Sequence, residues 1–295
     1  IFSFISNLIQ LMQHKSKKNS IKNSKKNIFD HYDLGNNFFK LFLDKHMVYS
    51  SAIYKTPDQS LEDAQFEKIN RAIDLCELSP NHHILEIGSG WGALSLQAAK
   101  KIGCRVTTVT ISEEQYKFVK QLINKEHLDH LIEVKLMDYR YLSGKFDRII
   151  SIEMLEAVGH EYLGTYFNQI SNLLNSNGKA MFQCITIPQN RYDNYRKKPD
   201  FIQTHIFPGG HLPTIEILQD HCYKSALKWV SADDIGPHYV PTLSEWETKF
   251  VQSKPSLDVM GFDSEFFNKW IYYFNYCKAG FESKFINNYQ FVVQK

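Results

Sequence analysis

No stretch of this 295-residue chain approaches the ~20 consecutive apolar residues that a membrane-spanning helix requires. Cysteine is scarce. The five residues at 76, 104, 184, 222 and 277 are an odd number with no C-x-x-C pair. That argues against a disulfide framework and against a bound metal, and it fits a reducing compartment. Apart from one Lys/Asn/Ser-rich stretch near the start there is no low-complexity tract, and there is no internal repeat. Acid is missing from one region altogether: residues 1–29 hold six lysines and no Asp or Glu. The rest carries 28 Lys+Arg against 32 Asp+Glu, so a body of −4 bears a basic arm of +6. Such an arm suits an anionic membrane surface or nucleic acid, and a solvated tail is the plain alternative.

What is present is an ordinary globular composition, 43% hydrophobic and 22% charged. It is enough for one large α/β domain with a cap, or for two domains. Ile1, Ile5, Leu8 and Met12 form a helical apolar stripe ahead of the lysines, the pattern of an interfacial helix or of a cap helix. After a helix over 61–76, strands and helices alternate, which predicts a mostly parallel sheet. Strands are expected near 83–87, 105–110, 132–137, 146–152 and 179–187, with helices near 93–101, 113–126 and 162–174. Residues 188–225, rich in Pro, Gly and aromatics, break the alternation and read as an insertion over the site. A strand over 227–232, helices over 243–251 and 265–281 and a last strand over 289–293 close the chain. The expected organisation is an N-terminal covering segment, 1–60, and a catalytic domain, 61–295.

The chain is organised around Ile84–Gly92, an apolar strand ending in an acid and then three glycines before a helical pattern. Glycines there let a ligand approach the backbone, and a helix N-terminus offers unpaired N–H groups. Gly88, Gly90 and Ala93 satisfy the dinucleotide pattern G-x-G-x-x-G/A, which calls for an acid at the end of the next strand. That strand ends Val109-Thr110-Ile111-Ser112, without one. The spacing E-x-G-x-G-x-G, with Glu86 inside the strand, instead resembles motif I of class I S-adenosylmethionine methyltransferases. Two further strand-end loops stand out, Asp138-Tyr139-Arg140 and Glu153–His160. Two glutamates three residues apart after a buried strand predict one carboxylate facing the cavity, with a pKa that burial raises.

The ordered set HYDLGN (31–36), YSSA (49–52), EIGSGWG (86–92), TISEEQ (110–115), DYR (138–140), EMLEAVG (153–159), IFPGGHLP (206–213), GPHY (236–239) and YCKAGF (276–281) resembles the cyclopropane-fatty-acid synthase family, which includes the mycolic acid methyltransferases. The resemblance runs from about residue 14 to the end. It implies a Rossmann-like sheet, mostly parallel with an antiparallel last strand, N-terminal helices and an inserted cap. It implies S-adenosylmethionine as cofactor, held by Tyr49, Ser50, Glu86, Gly88, Gly90, Gly92, Thr110, Ile111, Ser112, Gln115, Tyr139 and Arg140. The family's bicarbonate-binding positions correspond here to Ser51, Glu156, Gln183, Ile185 and Tyr239, with Ser and Gln in place of the family's Cys and His. By the same resemblance Glu156, Tyr239, Ser51 and Gln183 form the catalytic group, with Glu156 removing the proton directly or by holding bicarbonate.

The chemistry agrees with the composition. An alkene is a poor nucleophile and must be held in line with a sulfonium methyl. The resulting carbocation needs a dry, aromatic pocket. The chain has 21 Phe, 16 Tyr and 4 Trp, with Tyr32, Tyr49, Tyr239 and Tyr273 the candidates for that pocket. The expected function is methyl transfer to the double bond of a phospholipid acyl chain, giving a cyclopropane or a methylene branch. The expected setting is the cytoplasmic face of an anionic membrane, without nucleic acid, and with homo-oligomerisation left open. Two alternatives belong beside it: a small-molecule amine N-methyltransferase of the same family and a non-catalytic membrane-binding relative.

Overall fold

Local sequence sets most element boundaries. The computed structural model describes Asn19 and residues 34–295, so the apolar stripe of 1–12, the lysines of the arm and Tyr32 lie outside the described residues. A short helix α1 (Asn36–Phe39) precedes α2 (Leu61–Leu75), whose N-cap Ser60 accepts a hydrogen bond from Asp63 N–H. Next come β1 (His83–Ile87), α3 (Ala93–Ile102), β2 (Arg105–Thr110), α4 (Glu113–Lys125) and β3 (Ile132–Leu136). β4 (Phe146–Ile152), α5 (Leu163–Leu173) and β5 (Leu174–Thr186) complete the alternation.

The seven strands are ordered β3-β2-β1-β4-β5-β7-β6, with β6 spanning Lys228–Asp234 and β7 Asn287–Gln294. β7 runs antiparallel to both of its neighbours, and the other pairings are parallel. This is the sheet expected from the sequence. Strand order reverses between β1 and β4, so a crevice opens at their carboxyl ends, where ligands bind in open α/β sheets. Both sheet faces are covered. Ile84, Val106, Ile150 and Met181 pack with the apolar stripes of α2, α3 and α4, while Leu85, Ile149 and Phe182 pack with α5 and α8 (Ile215–Lys224).

A third core lies beyond the strand ends and is rich in aromatic rings. Phe38, Phe39 and Phe42 meet Trp246 and Phe250 of α9 (Tyr239–Gln252) and Trp270 and Phe274 of α11 (Ser264–Glu282). The Phe38 ring sits 4.7 Å from that of Trp270 in an edge-on arrangement, which suits ring quadrupoles better than a face-to-face sandwich. This cluster fastens the segment before α2 to the C-terminal helices and closes the crevice from above.

Three differences from the sequence reading stand out. β5 starts at Leu174 and not near 179, because Leu174 pairs with Phe146 before a register shift. α9 starts at Tyr239 and not at 243, continuing a turn that begins at Gly236. The insertion between β5 and β6 is helical, with α6 (Gln189–Tyr195), α7 (Phe201–His205) and α8, and a short α10 (Lys254–Val259) separates α9 from α11.

Candidate active site

A cavity of about 580 Å³ opens at the switch point and runs from the glycine turn to the helical insertion and the end of α11. Gly88, Ser89, Gly90 and Trp91 form one wall, and Thr110, Ile111, Gln115, Tyr139 and Arg140 another. Gly90 has φ +47°, and a Cβ built there meets no atom within 4 Å. The space above the turn is therefore left open by the chain itself, as a ligand passing the backbone needs. Gly88, at φ +96°, is more confined, since a Cβ would lie 3.3 Å from Met154 Cγ.

Glu86 is buried, and Ser95 Oγ and Thr108 Oγ1 both donate to its Oε2, the latter at 2.6 Å. Burial raises its pKa to about 7. Lys68 from α2 is 1% exposed and lines the same cavity. Its Nζ donates to Ser50 Oγ at 2.5 Å. Burial lowers its pKa to about 8 despite Glu153, Asp44 and Glu86 nearby. An open glycine wall, the Gln115 amide and a buried ammonium with donors to spare suit a ligand carrying an adenosyl group and a carboxylate. S-adenosylmethionine has both.

Two cofactor positions expected from the resemblance stand behind this wall and do not line the cavity. Gly92, at φ +90°, is the N-cap of α3, and a Cβ there would meet Val119 at 3.3 Å. Ser112 is the N-cap of α4 and accepts from Gln115 N–H at 3.3 Å. Arg140 lines the cavity, but its guanidinium grips Asp138 through Nε and Nη2 at 2.8 and 2.6 Å, and its Nη1 donates to the Asn19 carbonyl at 3.1 Å. The Asn19 amide in turn donates to the Gly209 carbonyl at 2.7 Å, tying this wall to the insertion.

Deeper in, the hub is Glu153, just past β4. Its Oε1 accepts from Ser51 N–H (3.0 Å), Gln183 Nε2 (2.8 Å) and Asn288 Nδ2 (2.8 Å), and its Oε2 from Tyr239 OH (2.7 Å). Its backbone is strained, at φ +48°, and its N–H donates to the Gln183 carbonyl at 2.7 Å. Burial and the adjacent Glu153 hold the Tyr239 phenol well above its ordinary value, so it stays a donor. Gln183 is oriented by a chain of amides. Its Oε1 accepts from Gln290 Nε2 at 3.0 Å, and Gln290 Oε1 accepts from Arg71 Nε at 2.8 Å. Because Arg71 can only donate, it fixes both amides so that Gln183 turns its Nε2 to Glu153.

Glu156, to which the sequence reading gave proton removal, sits differently. Its Oε1 accepts from Ile185 N–H at 2.5 Å, and its buried Oε2 has no hydrogen-bond partner among the described residues. Burial first and the Glu153 charge second raise its pKa to about 8, so it holds a proton at neutral pH. Ser51 and Gln183 gather around Glu153 behind the cavity surface, whereas Tyr239 and both glutamates line it. The donors that the resemblance assigns to bicarbonate are thus spent on two protein carboxylates: Ser51, Gln183 and Tyr239 on Glu153, and Ile185 on Glu156. Such a site does not fit the ion.

Asn288, Gln290, Arg71 and Lys68 went unnoticed in the sequence. Asn288 and Gln290 carried a signal, because two polar residues at spacing two in a strand share one face. The cavity also has an aromatic lining, with Tyr49, Tyr273, Phe207 and Phe281 among its residues. Tyr49 OH and Tyr273 OH lie 3.2 Å apart, so two otherwise buried hydroxyls partner each other.

Comparison with known proteins agrees with this geometry. The family model described as "Mycolic acid cyclopropane synthetase" matches residues 19–291. Tuberculostearic acid methyltransferase UfaA1 of Mycobacterium tuberculosis is 37% identical over 278 residues, which cover 92% of this chain and 65% of UfaA1. The chain therefore spans a little under two thirds of that relative's length. Cyclopropane mycolic acid synthase 1 of the same organism is 32% identical over 91% of this chain and 96% of its own. The crystal structure of mycolic acid cyclopropane synthase CmaA1 complexed with SAH and CTAB has a TM-score of 0.86 at 30% identity, covering 92% of this chain and 98% of that one. By its matched residues, its sheet and its glycine-walled cleft, this chain belongs to the mycolic acid cyclopropane synthetase family and is an S-adenosylmethionine-dependent methyltransferase.

Proposed function

We propose that the enzyme methylates a carbon–carbon double bond in an unsaturated fatty acyl chain of a phospholipid, giving a cyclopropane or a methylene-branched chain. The observation that carries the reading is a carboxylate, Glu153, held by four donors at the wall of a cavity whose lining is mostly apolar. Such a site offers a base and aromatic rings to an apolar chain.

S-adenosylmethionine supplies an electrophilic methyl on a sulfonium. Gly88–Trp91, Gln115, Tyr139, Ser50 and Lys68 are the residues placed to hold it. The faces of Tyr49, Tyr239 and Tyr273 stabilise the cation that methylation leaves on the acyl chain, and the apolar walls keep water from trapping it. Glu153 takes the proton. Direct loss from the new methyl closes a three-membered ring; when a hydride first shifts from the methylated carbon to its neighbour, loss from the same methyl gives a methylene. Either route removes one proton and leaves an uncharged acyl chain. Glu156 is protonated near neutrality and leaves the pair one carboxylate to act as base. With its donors spent, the site has no need of bicarbonate, and turnover is expected to be insensitive to it.

Expression in a bacterium lacking its own cyclopropane synthase tests the reading, with the acyl chains identified by structural analysis, because the two products are isomers. Cyclopropane or methylene chains are the expected result. Unaltered acyl chains beside a methylated amine would overturn it.

A further inference from the structure

The cavity reaches the surface at the end of α11 and the start of the insertion, where Tyr276, Ser283, Phe285 and Ile286 line it. Surface exposure there is unusually apolar. Tyr272 is 52% exposed, Phe285 48% and Tyr276 37%. They are not scattered: Tyr272 stacks on Tyr276 with ring centroids 5.8 Å apart, and Phe201 meets the Tyr272 ring edge-on at 4.5 Å. Beside this aromatic rim, α6 and the turn after it carry Arg191, Arg196, Lys197 and Lys198 against a single acid, Asp193. The Arg191 guanidinium lies over the Phe285 ring at 3.8 Å, which joins the basic strip to the rim. None of these four cations has a carboxylate partner among the described residues.

An exposed aromatic rim around a cavity mouth, bordered by unpaired cations, has the composition of an interfacial surface: rings at headgroup depth, cations against anionic lipid. The geometry points to this mouth as the face that docks on an anionic phospholipid bilayer, so that an acyl chain passes from the membrane into the cavity between Tyr276 and Phe285. The inference rests on the phospholipid reading above. It assigns the docking to the folded body, with or without the lysines of residues 1–29.

The test uses the full chain and vesicles of phosphatidylcholine with 30% phosphatidylglycerol, with phosphatidylcholine alone as the neutral arm. Arg196, Lys197 and Lys198 lie outside the cavity wall, so the triple variant Arg196→Glu/Lys197→Glu/Lys198→Glu is expected to keep S-adenosylhomocysteine affinity and activity on detergent-dispersed lipid. Its partitioning onto anionic vesicles is expected to fall about a hundredfold at low salt, because three cations no longer attract the anionic surface, and to match its weak partitioning onto neutral ones. The double variant Lys197→Glu/Lys198→Glu, which leaves the α6 C-cap intact, is expected to show an intermediate loss. Unchanged co-sedimentation of both variants would overturn the proposal and leave the arm as the membrane element. Vesicle binding retained with loss of binding to an acidic acyl-carrier protein would also overturn it, in favour of a protein partner. Charge-dependent docking without any methylated acyl product would support the docking face and overturn the phospholipid reading.

Discussion

Replacing Glu153 by glycine separates the carboxylate from the fold. The residue sits at φ +48°, where glycine is at ease, so the substitution relieves backbone strain while removing the hub of four hydrogen bonds. Ser51 N–H, Gln183 Nε2, Asn288 Nδ2 and Tyr239 OH then face an anion-sized hole. The Glu153→Gly variant is expected to lose about 10²–10⁴ in rate, to keep S-adenosylhomocysteine affinity, and to regain activity saturably with formate or bicarbonate. Near-normal turnover without added anion would rule out Glu153 as the base. Arg71 acts on the same carboxylate only through Gln290 and Gln183. Arg71→Met is therefore expected to lower kcat on the order of ten- to a hundredfold, since small misplacements of a catalytic group are costly, while cofactor affinity and KM hold. A matched loss in cofactor affinity would mark it as merely structural. At this scale the sequence was only partly legible. The pair Glu153 and Glu156 was visible as two acids after a buried strand. Which of them faces the donors depends on β5, β7 and the Ser51 loop meeting in space, and no local pattern records that.

Among the elements, the β1–α3 turn was the most legible, because its chemistry is local: an apolar strand, three glycines and a helix start within about a dozen residues. The sheet was legible for the same reason, since strand and helix periods alternate cleanly from His83 to Thr186. The insertion and α10 were not, because short helices held by aromatic packing carry too few turns to display a period. Gly92 and Ser112 show the limit of motif reading. Both satisfy the pattern, yet their work is capping and close packing against Val119 and Gln115. Gly90 differs, and a small substitution distinguishes the roles. Gly90→Ala places its Cβ in space that the protein leaves open. Folding is expected to suffer only from the positive φ, about 1 kcal/mol, while S-adenosylhomocysteine affinity falls at least tenfold. Thermal unfolding and titration calorimetry on one sample check both, and unaltered affinity would place the ligand away from the turn.

At the scale of the whole molecule, the buried ionisable groups give the fold a pH dependence with a definite sign. Glu86, Glu156 and Lys68 are all enclosed by the protein's own side chains. Burial and then Glu153 raise Glu156 from an ordinary 4.5 to about 8, and burial raises Glu86 to about 7. A carboxyl whose folded value lies above its unfolded one gives stability that is fully present below the unfolded value and is lost as pH rises through the folded one. For Glu156 that window is 4.5 to about 8. Lys68 works in the opposite direction: lowered from 10.5 to about 8 by burial, it penalises the fold below about 8 and relaxes that penalty as pH rises toward 10.5. Glu156→Gln isolates the first effect, because Gln keeps an oxygen for Ile185 N–H and needs no proton. Variant and wild type are expected to unfold together below about pH 4.5. The variant then gains progressively up to pH 8, reaching a difference on the order of a few kcal/mol for so buried a group, and the gap stays level above. Denaturant midpoints at half-unit pH steps read this directly, since titrating groups that do not interact with Glu156 cancel in the difference. A gap that does not change with pH would mean that Glu156 ionises in the fold as it does in the unfolded chain, and the single-carboxylate picture of the Glu153–Glu156 pair would fall with it.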